Sequence, residues 1–295
     1  MTKFKLLNFN KKTNPKIKNK PLLVTGTHRS GTTWIGRVLE KSDIFEYLQE
    51  PMNIENKKGI GLYDYWFQYI KESESNLYNP LIKLKKKAEK RNKVALFKDP
   101  IAFFSIDTFI NKVNADVLIA VRNPFSFASS LKRLDWQFDF NHFLNQEELM
   151  DLYLQDFKDE IAEYSKSKKN IVLQASLLWN IFYTSALNYK SKYPQIELVK
   201  HENLSLNPYE NFSKLCKNLS IPYTNTMNEY LKETTDINNS TEVKNNVVHQ
   251  LERNSKDNIF IYKHRLSEKE IEDIYDKTKV IFNQFYDKKF FFEND

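Results

Sequence analysis

The chain has 295 residues, of which 41% are hydrophobic and 14% aromatic, enough to bury a substantial core and too apolar for a disordered polypeptide. Its net charge of +7 favours anionic partners (a nucleotide, an acidic polysaccharide, a membrane surface or nucleic acid) without choosing among them. One cysteine, Cys216, excludes an internal disulfide framework, and the five histidines show no zinc-ligand spacing, so no protein metal site is expected.

Residues 1–20 are basic and poor in apolar side chains, which predicts a flexible N-terminal arm, and they lack the apolar stretch of a secretory signal. No later run is long and apolar enough to span a bilayer, and with the single cysteine this points to a cytoplasmic protein. Residues 21–295 are expected to form one domain. It opens with Pro21-Leu22-Leu23-Val24-Thr25, an apolar run of strand length ending at Gly26. Trp34, Ile35, Val38 and Leu39 then share one face at helical spacing. Further strands are predicted at 94–97, 116–121 and 196–199, and helices at 61–71, 124–134, 171–193 and 208–219. Near-continuous apolar strands alternating with helices imply an α/β fold with a central parallel sheet flanked by helices.

The lysine-rich run 83–90 reads as the wet side of a helix, and Cys216 as a small buried residue. The polar stretch 233–258 reads as a long loop or a lid. Residues 267–287 are expected to form the last helix, opened by the capping box Ser267-Glu268-Lys269-Glu270. Two aromatic segments, Tyr63-Asp64-Tyr65-Trp66-Phe67 and Trp136-Gln137-Phe138-Asp139-Phe140, divide by setting: core is expected for the first, an acceptor cleft for the second.

Gly26-Thr27-His28-Arg29-Ser30-Gly31-Thr32-Thr33 has the outline of a phosphate-binding loop between a strand and a helix. Free backbone N–H groups and the helix dipole favour an anion there. Thr32 stands where a nucleoside triphosphatase would carry lysine. Strand 117–121 runs into Arg122 rather than a magnesium-binding aspartate, which leaves Asp99 as the nearest candidate. A P-loop kinase using Mg-ATP on a small metabolite and a basic nucleic-acid-binding protein therefore stay open at this point. No helix-turn-helix, zinc knuckle or ribonucleoprotein motif supports the second, so no nucleic-acid partner is expected.

Arg122-Asn123-Pro124 follows the second strand, with Pro124 suited to a helix start and Ser130 eight positions beyond Arg122. A guanidinium fork matches phosphate oxygens, and a serine hydroxyl can complete the grip. With this second segment the chain resembles the family of sulfotransferases that use 3'-phosphoadenosine-5'-phosphosulfate (PAPS). His28-Arg29-Ser30-Gly31-Thr32-Thr33 is similar to its 5'-phosphosulfate loop, and Arg122 with Ser130 to its 3'-phosphate site. The segment from Trp179 through Tyr193-Pro194 to Val199-Lys200-His201-Glu202-Asn203-Leu204 is similar to its later helix–strand–loop. The likeness covers residues 21–220 well and the C-terminal part weakly.

The resemblance implies a P-loop nucleoside-triphosphate-hydrolase-like fold, PAPS as donor, adenosine 3',5'-bisphosphate as product, and no metal. Arg29 stands where the cytosolic small-molecule branch usually carries lysine, and so resembles the carbohydrate and tyrosylprotein branches. Glu50, 21 residues beyond Arg29 in Leu48-Gln49-Glu50-Pro51, matches their catalytic base. The Glu-Pro pair is most like the carbohydrate enzymes, so a sugar hydroxyl is the expected acceptor. Lys98-Asp99-Pro100 resembles a segment that places a lysine near the sulfuryl group. Arg253, Ser255 and Lys256 are candidates to close over the 3'-phosphate. His28 is expected to shape the loop or touch ligand rather than abstract the proton.

Overall fold

Five short runs form the sheet: β1 (Leu22–Gly26), β2 (Phe45–Gln49), β3 (Val94–Lys98), β4 (Asp116–Val121) and β5 (Glu197–Lys200). In this computed structural model, which describes residues 20–56, 59–167, 170–236, 238–240, 251–252 and 254–292, they pair parallel throughout in the order β2-β3-β1-β4-β5. Four of the strands match the expected apolar runs. β2 carries only Phe45 as a buried residue among FEYLQ, so its sequence offers no apolar run to find.

Because successive strand residues point to opposite faces, the apolar strands feed two cores. Leu23, Phe97, Val117, Ile119 and Val121 pack with Phe125 and Phe182 on one side. Leu22, Val24, Leu96, Leu118 and Ala120 pack with Ile35, Val38 and Phe212 on the other, where Cys216 is buried and its thiol pushed up to about 12. The helix after β1, Thr32–Glu40, lies on the second side, while the helix after β4, Pro124–Leu134, lies on the first. Chain connections thus leave neighbouring strands β1 and β4 toward opposite faces, and a crevice opens at their C-terminal ends.

The helices Pro124–Leu134, Ile171–Lys192 and Pro208–Asn218 fall where the periodicity places them. The lysine run lies on helix Ser75–Lys90, with Leu81 and Ala88 buried. Segment 61–71 is a correction. Tyr63, Phe67 and Ile70 are buried at helix-like spacing, yet the backbone is irregular and Phe67 has φ 60°. Its amides are claimed by side chains from elsewhere. Trp66 N donates to His142 Nδ1 at 3.3 Å and Tyr69 N to Gln146 Oε1 at 2.7 Å, so i−4 carbonyls lose them. Tertiary hydrogen bonds override the local period.

At the C-terminus, Glu268–Phe285 has both halves of its capping box formed by Ser267 and Glu270, but it is followed by another helix, Lys288–Phe292, and is not the last. The polar stretch 233–258 begins inside helix Asn225–Thr235, whose Thr234 accepts from Trp34 Nε1 at 3.0 Å. Residues 237, 241–250 and 253 of that stretch lie outside the described residues, as does the N-terminal arm up to residue 19. Among the described residues no helix is long and apolar enough to cross a membrane.

Candidate active site

The loop after β1 turns through Arg29 (φ 66°) and Gly31 (φ 93°), both in the left-handed region. Gly31 is required twice over. A Cβ there would be strained and would sit 2.3 Å from His201 Cδ2. Ser30 spends its hydroxyl on Thr27 O at 2.6 Å, which tightens the turn from within. Helix Thr32–Glu40 then starts with no side-chain cap, so no side-chain oxygen takes its first amides, the position at which a helix favours an anion. Gly31, Thr32, Thr33 and Trp34 all line one cavity of about 560 Å³.

β4 delivers Arg122 to the same cavity. Its backbone is clamped: Arg122 N donates to Tyr183 Oη at 2.9 Å, and Trp179 Nε1 donates to Arg122 O at 2.8 Å. Its Nη1 donates to Arg29 O at 2.6 Å, so the second basic segment braces the first. Nε finds no partner among the described residues although it is buried. Burial lowers the guanidinium's pKa, opposed by the Glu202 carboxylate. Glu202 itself is 3% exposed and accepts from Asn123 N at 3.0 Å, Asn123 Nδ2 at 2.7 Å and Tyr286 Oη at 2.8 Å. Asn123 in turn caps helix Pro124–Leu134 through Ser126 N at 2.7 Å. An arginine and an uncapped helix start lining one cavity are a fit for an anionic ligand.

β3 ends in Lys98, which is 1% exposed, and its Nζ donates to Glu50 Oε1. Glu50 sits past the end of β2 at φ 48°, tied by its N–H to Lys98 O at 2.8 Å. Its other oxygen, Oε2, accepts from Asn53 Nδ2 at 2.7 Å. Lys98 and Glu50 both line the cavity. Asp99 faces the opposite way, accepting from Met52 N at 2.7 Å and Ile101 N at 3.0 Å, with burial raising its carboxyl to about 7. Its oxygens serve the backbone, which removes it as a metal ligand for a kinase.

Part of the cavity lining is aromatic. Trp66, Phe67, Trp136 and Phe138 form it, and His28 joins them with ring centroids 5.8 Å from Phe67, 5.4 Å from Phe127 and 6.0 Å from Trp136. Burial, then the neighbouring Arg29 charge, lowers the His28 pKa to about 3, so the imidazole is neutral near pH 7. The Arg29 guanidinium lies 5.8 Å from the Trp136 ring centroid and its Nε donates to Ser130 Oγ at 3.0 Å.

A family model described as a sulfotransferase domain matches residues 19–290. The chain belongs to the sulfotransferase family. Among solved structures, it is similar to the sulfotransferase domain of the Synechococcus PCC 7002 olefin synthase: TM-score 0.56, 12% identity, covering 95% of this chain and 99% of that one. It also matches the sulfotransferase domain from the curacin biosynthetic pathway at TM-score 0.47 and 15% identity, covering 90% and 97% of the two chains. Mouse sulfotransferase SULT7A1 matches at 0.46 and 11%, covering 92% and 86%. The first likeness supports the α/β sulfotransferase fold, a P-loop nucleoside-triphosphate-hydrolase-like architecture. No curated protein matches the sequence.

Of the residues singled out from sequence, this sulfotransferase brings His28, Arg29, Gly31, Thr32 and Thr33 to the cavity from the loop, and Glu50, Lys98, Arg122 and Ser255 from elsewhere. Three do not line it. Ser30 is turned into its own loop, Ser130 stands behind Arg29, and Lys256 is exposed. Ser255 donates to Ser205 O at 2.9 Å, and Arg253 lies outside the described residues. Arg29 and Ser130, assigned to separate phosphate subsites in the sequence, touch each other. Sequence reasoning missed Asn53, the second partner of Glu50, and His201, which packs on Gly31 and stands 5.6 Å from the Trp34 ring. Neither carries a local signal, because each acts through a neighbour from another turn or element. The aromatic segments also divide differently: Tyr63 and Phe67 are core, but Phe67 reaches the cavity with Trp66.

Proposed function

We propose that this sulfotransferase moves a sulfuryl group from PAPS to a hydroxyl of a carbohydrate acceptor. The observation that carries the reading is the meeting, in one cavity, of an uncapped helix start, two arginines and a carboxylate held by a buried lysine. PAPS supplies a sulfuryl group already activated by its bond to phosphate.

The residues divide the remaining work. The Thr32, Thr33 and Trp34 amides with the Arg29 guanidinium hold the 5' end and stabilise charge on the sulfuryl and leaving-phosphate oxygens. Arg122, which lines the cavity with Ser255, takes the 3'-phosphate, and Ser130 supports the neighbouring Arg29. Glu50 accepts the acceptor's proton as its oxygen bonds to sulfur, a role worth ~10²–10⁴-fold. Lys98 holds that carboxylate in place and adds positive charge beside the reacting group. Fixed cations thereby take the part that magnesium plays in phosphoryl transfer. Trp66, Trp136 and Phe138 offer flat faces against which a pyranose ring can stack.

A thermal-shift comparison tests the reading. Adenosine 3',5'-bisphosphate is expected to stabilise the protein without metal, and stabilisation by Mg-ATP alone would replace this reading with a kinase. Incubating labelled PAPS with a panel of saccharides then tests the acceptor class by label transfer.

A further inference from the structure

Gln174 stands near the start of helix Ile171–Lys192 among the buried apolar residues Val172, Ala175 and Leu178, and is itself 4% exposed. Both ends of its side-chain amide reach out of the helix to segment Trp136–Asp139, which has neither strand ladder nor helix of its own. Phe138 N donates to Gln174 Oε1 at 3.0 Å, and Gln174 Nε2 donates to Gln137 Oε1. A backbone N–H can only donate, so the amide has one orientation: oxygen to Phe138, nitrogen to Gln137. A buried amide costs free energy unless it is bonded, and an apolar side chain of equal length would fill the same space without that demand. What the glutamine adds is its hold on the segment.

That segment faces the cavity, which Trp136, Gln137, Phe138 and Asp139 all line. Side-chain contacts divide the lining into two linked groups. At the start of helix Thr32–Glu40, Trp34 Nε1 donates to Thr234 Oγ1 at 3.0 Å, and the Trp34 ring lies 5.6 Å from that of His201. In the other group, Phe67 lies 5.8 Å from Phe138 and 6.4 Å from Trp66, and Phe138 lies 6.1 Å from His142. The helix start is an anion-binding end, so the group joined to Trp34 goes with the nucleotide. The aromatic group meets the donor loop at Trp136, whose ring centroid is 5.8 Å from the Arg29 guanidinium. An acceptor has to meet the donor at the sulfuryl group, where Arg29 is placed, so the rings beyond Trp136 are left to the acceptor. We propose that Gln174 is a positioning residue for the acceptor: by holding the backbone at Gln137 and Phe138, it sets Trp136 and Phe138 as a fixed face on which the acceptor's ring stacks. It acts through the segment, since Gln174 is not itself among the residues lining the cavity.

This role rests on the sulfotransferase reading, and the measurements keep the two failures apart. Steady-state kinetics with PAPS, and with p-nitrophenyl β-D-galactopyranoside or p-nitrophenol as acceptor, compare the wild type with Gln174→Met, which keeps the side-chain length and loses both bonds. The acceptor KM is expected to rise roughly five- to tenfold, the scale of one net hydrogen bond. Both kcat and affinity for adenosine 3',5'-bisphosphate should stay within about twofold, the pattern of lost uniform binding. Gln174→Glu, which keeps an oxygen for Phe138 N, is expected to recover part of the acceptor KM. Should the methionine variant not fold, Gln174→Asn, one methylene short of the segment, takes its place. Fluorine NMR of protein labelled with 5-fluorotryptophan gives a readout that needs no acceptor. The Trp136 signal, assigned with Trp136→Phe, should shift or broaden in Gln174→Met, while Trp179, on the same helix as Gln174, keeps its signal. An unchanged acceptor KM or an unmoved Trp136 signal overturns the proposal. So does a parallel loss of bisphosphate affinity or a disturbed Trp179, either of which would make Gln174 a general support of the fold. Wild type that binds the bisphosphate but sulfates neither probe overturns it as well, whereas failure of the bisphosphate to bind overturns the sulfotransferase mechanism beneath it.

Discussion

Lys98 and Glu50 hold each other twice. Glu50 N donates to Lys98 O at 2.8 Å where β2 runs out beside β3, and Lys98 Nζ returns to Glu50 Oε1. The backbone bond holds Glu50 at the end of its strand, where its backbone adopts φ 48°, and the side-chain pair positions the carboxylate at the cavity. Asn53 takes the second oxygen, so the carboxylate is oriented before any substrate arrives.

Glu50→Gln is expected to lower kcat by at least about 10²-fold, since the amide cannot take a proton. Affinity for adenosine 3',5'-bisphosphate should be nearly unchanged. Steady-state kinetics with calorimetry check both halves, and full activity would remove Glu50 as the base.

Arg122→Ala is expected to weaken adenosine 3',5'-bisphosphate binding by about 1.5–3 kcal/mol, the scale of a charge-assisted hydrogen bond. Adenosine 5'-monophosphate, lacking the 3'-phosphate, should lose much less. Equal losses for the two nucleotides would mean that Arg122 acts only by bracing Arg29 O.

Glu202→Ala leaves Asn123 N, Asn123 Nδ2 and Tyr286 Oη without their acceptor in a buried setting. A stability loss of about 2–4 kcal/mol is expected from these orphaned donors. Chemical denaturation measures it, and a loss under about 0.5 kcal/mol would show that another group takes up the bonds.

Gly31→Ala asks an L-residue to adopt φ 93° with its Cβ 2.3 Å from His201 Cδ2. The strain is expected to cost about 1–3 kcal/mol and to misalign the helix-start amides, so bisphosphate affinity should fall with stability. Retained affinity in a destabilised variant would separate the loop's fold from its ligand.

The His28 pKa, lowered to about 3, sets a direction for acid stability. Between about 3 and the ordinary histidine value near 6.5 the unfolded chain binds a proton that the folded one refuses, so stability falls as pH drops through that window. His28→Phe is expected to flatten this part of the stability curve. Melting temperatures of both proteins from pH 7 to pH 4.5 test it, and parallel curves would show that His28 protonates freely in the folded state.

Much of the molecule was written into local sequence. Leu22–Gly26 is buried throughout and Asp116–Val121 at all but its first residue, and a strand covered on both faces reads as a near-continuous apolar run, which makes it legible. The loop glycines and Arg122 could be named for the same reason, from residue type and position at a strand end, whereas Glu50, past a strand with only one buried residue, could be named only through the family resemblance. What the chain alone could not decide was everything that depends on a distant partner. The 61–71 segment has a helix's apolar period and none of its hydrogen bonds, because His142 and Gln146 take its amides. Arg29 and Ser130, 101 positions apart, meet only when β1 and β4 lie side by side. Spacing along a chain reports on interactions within a turn or a strand, whereas the pairing of Glu50 with Lys98 and the aromatic contacts of His28 exist only once separate elements have packed together.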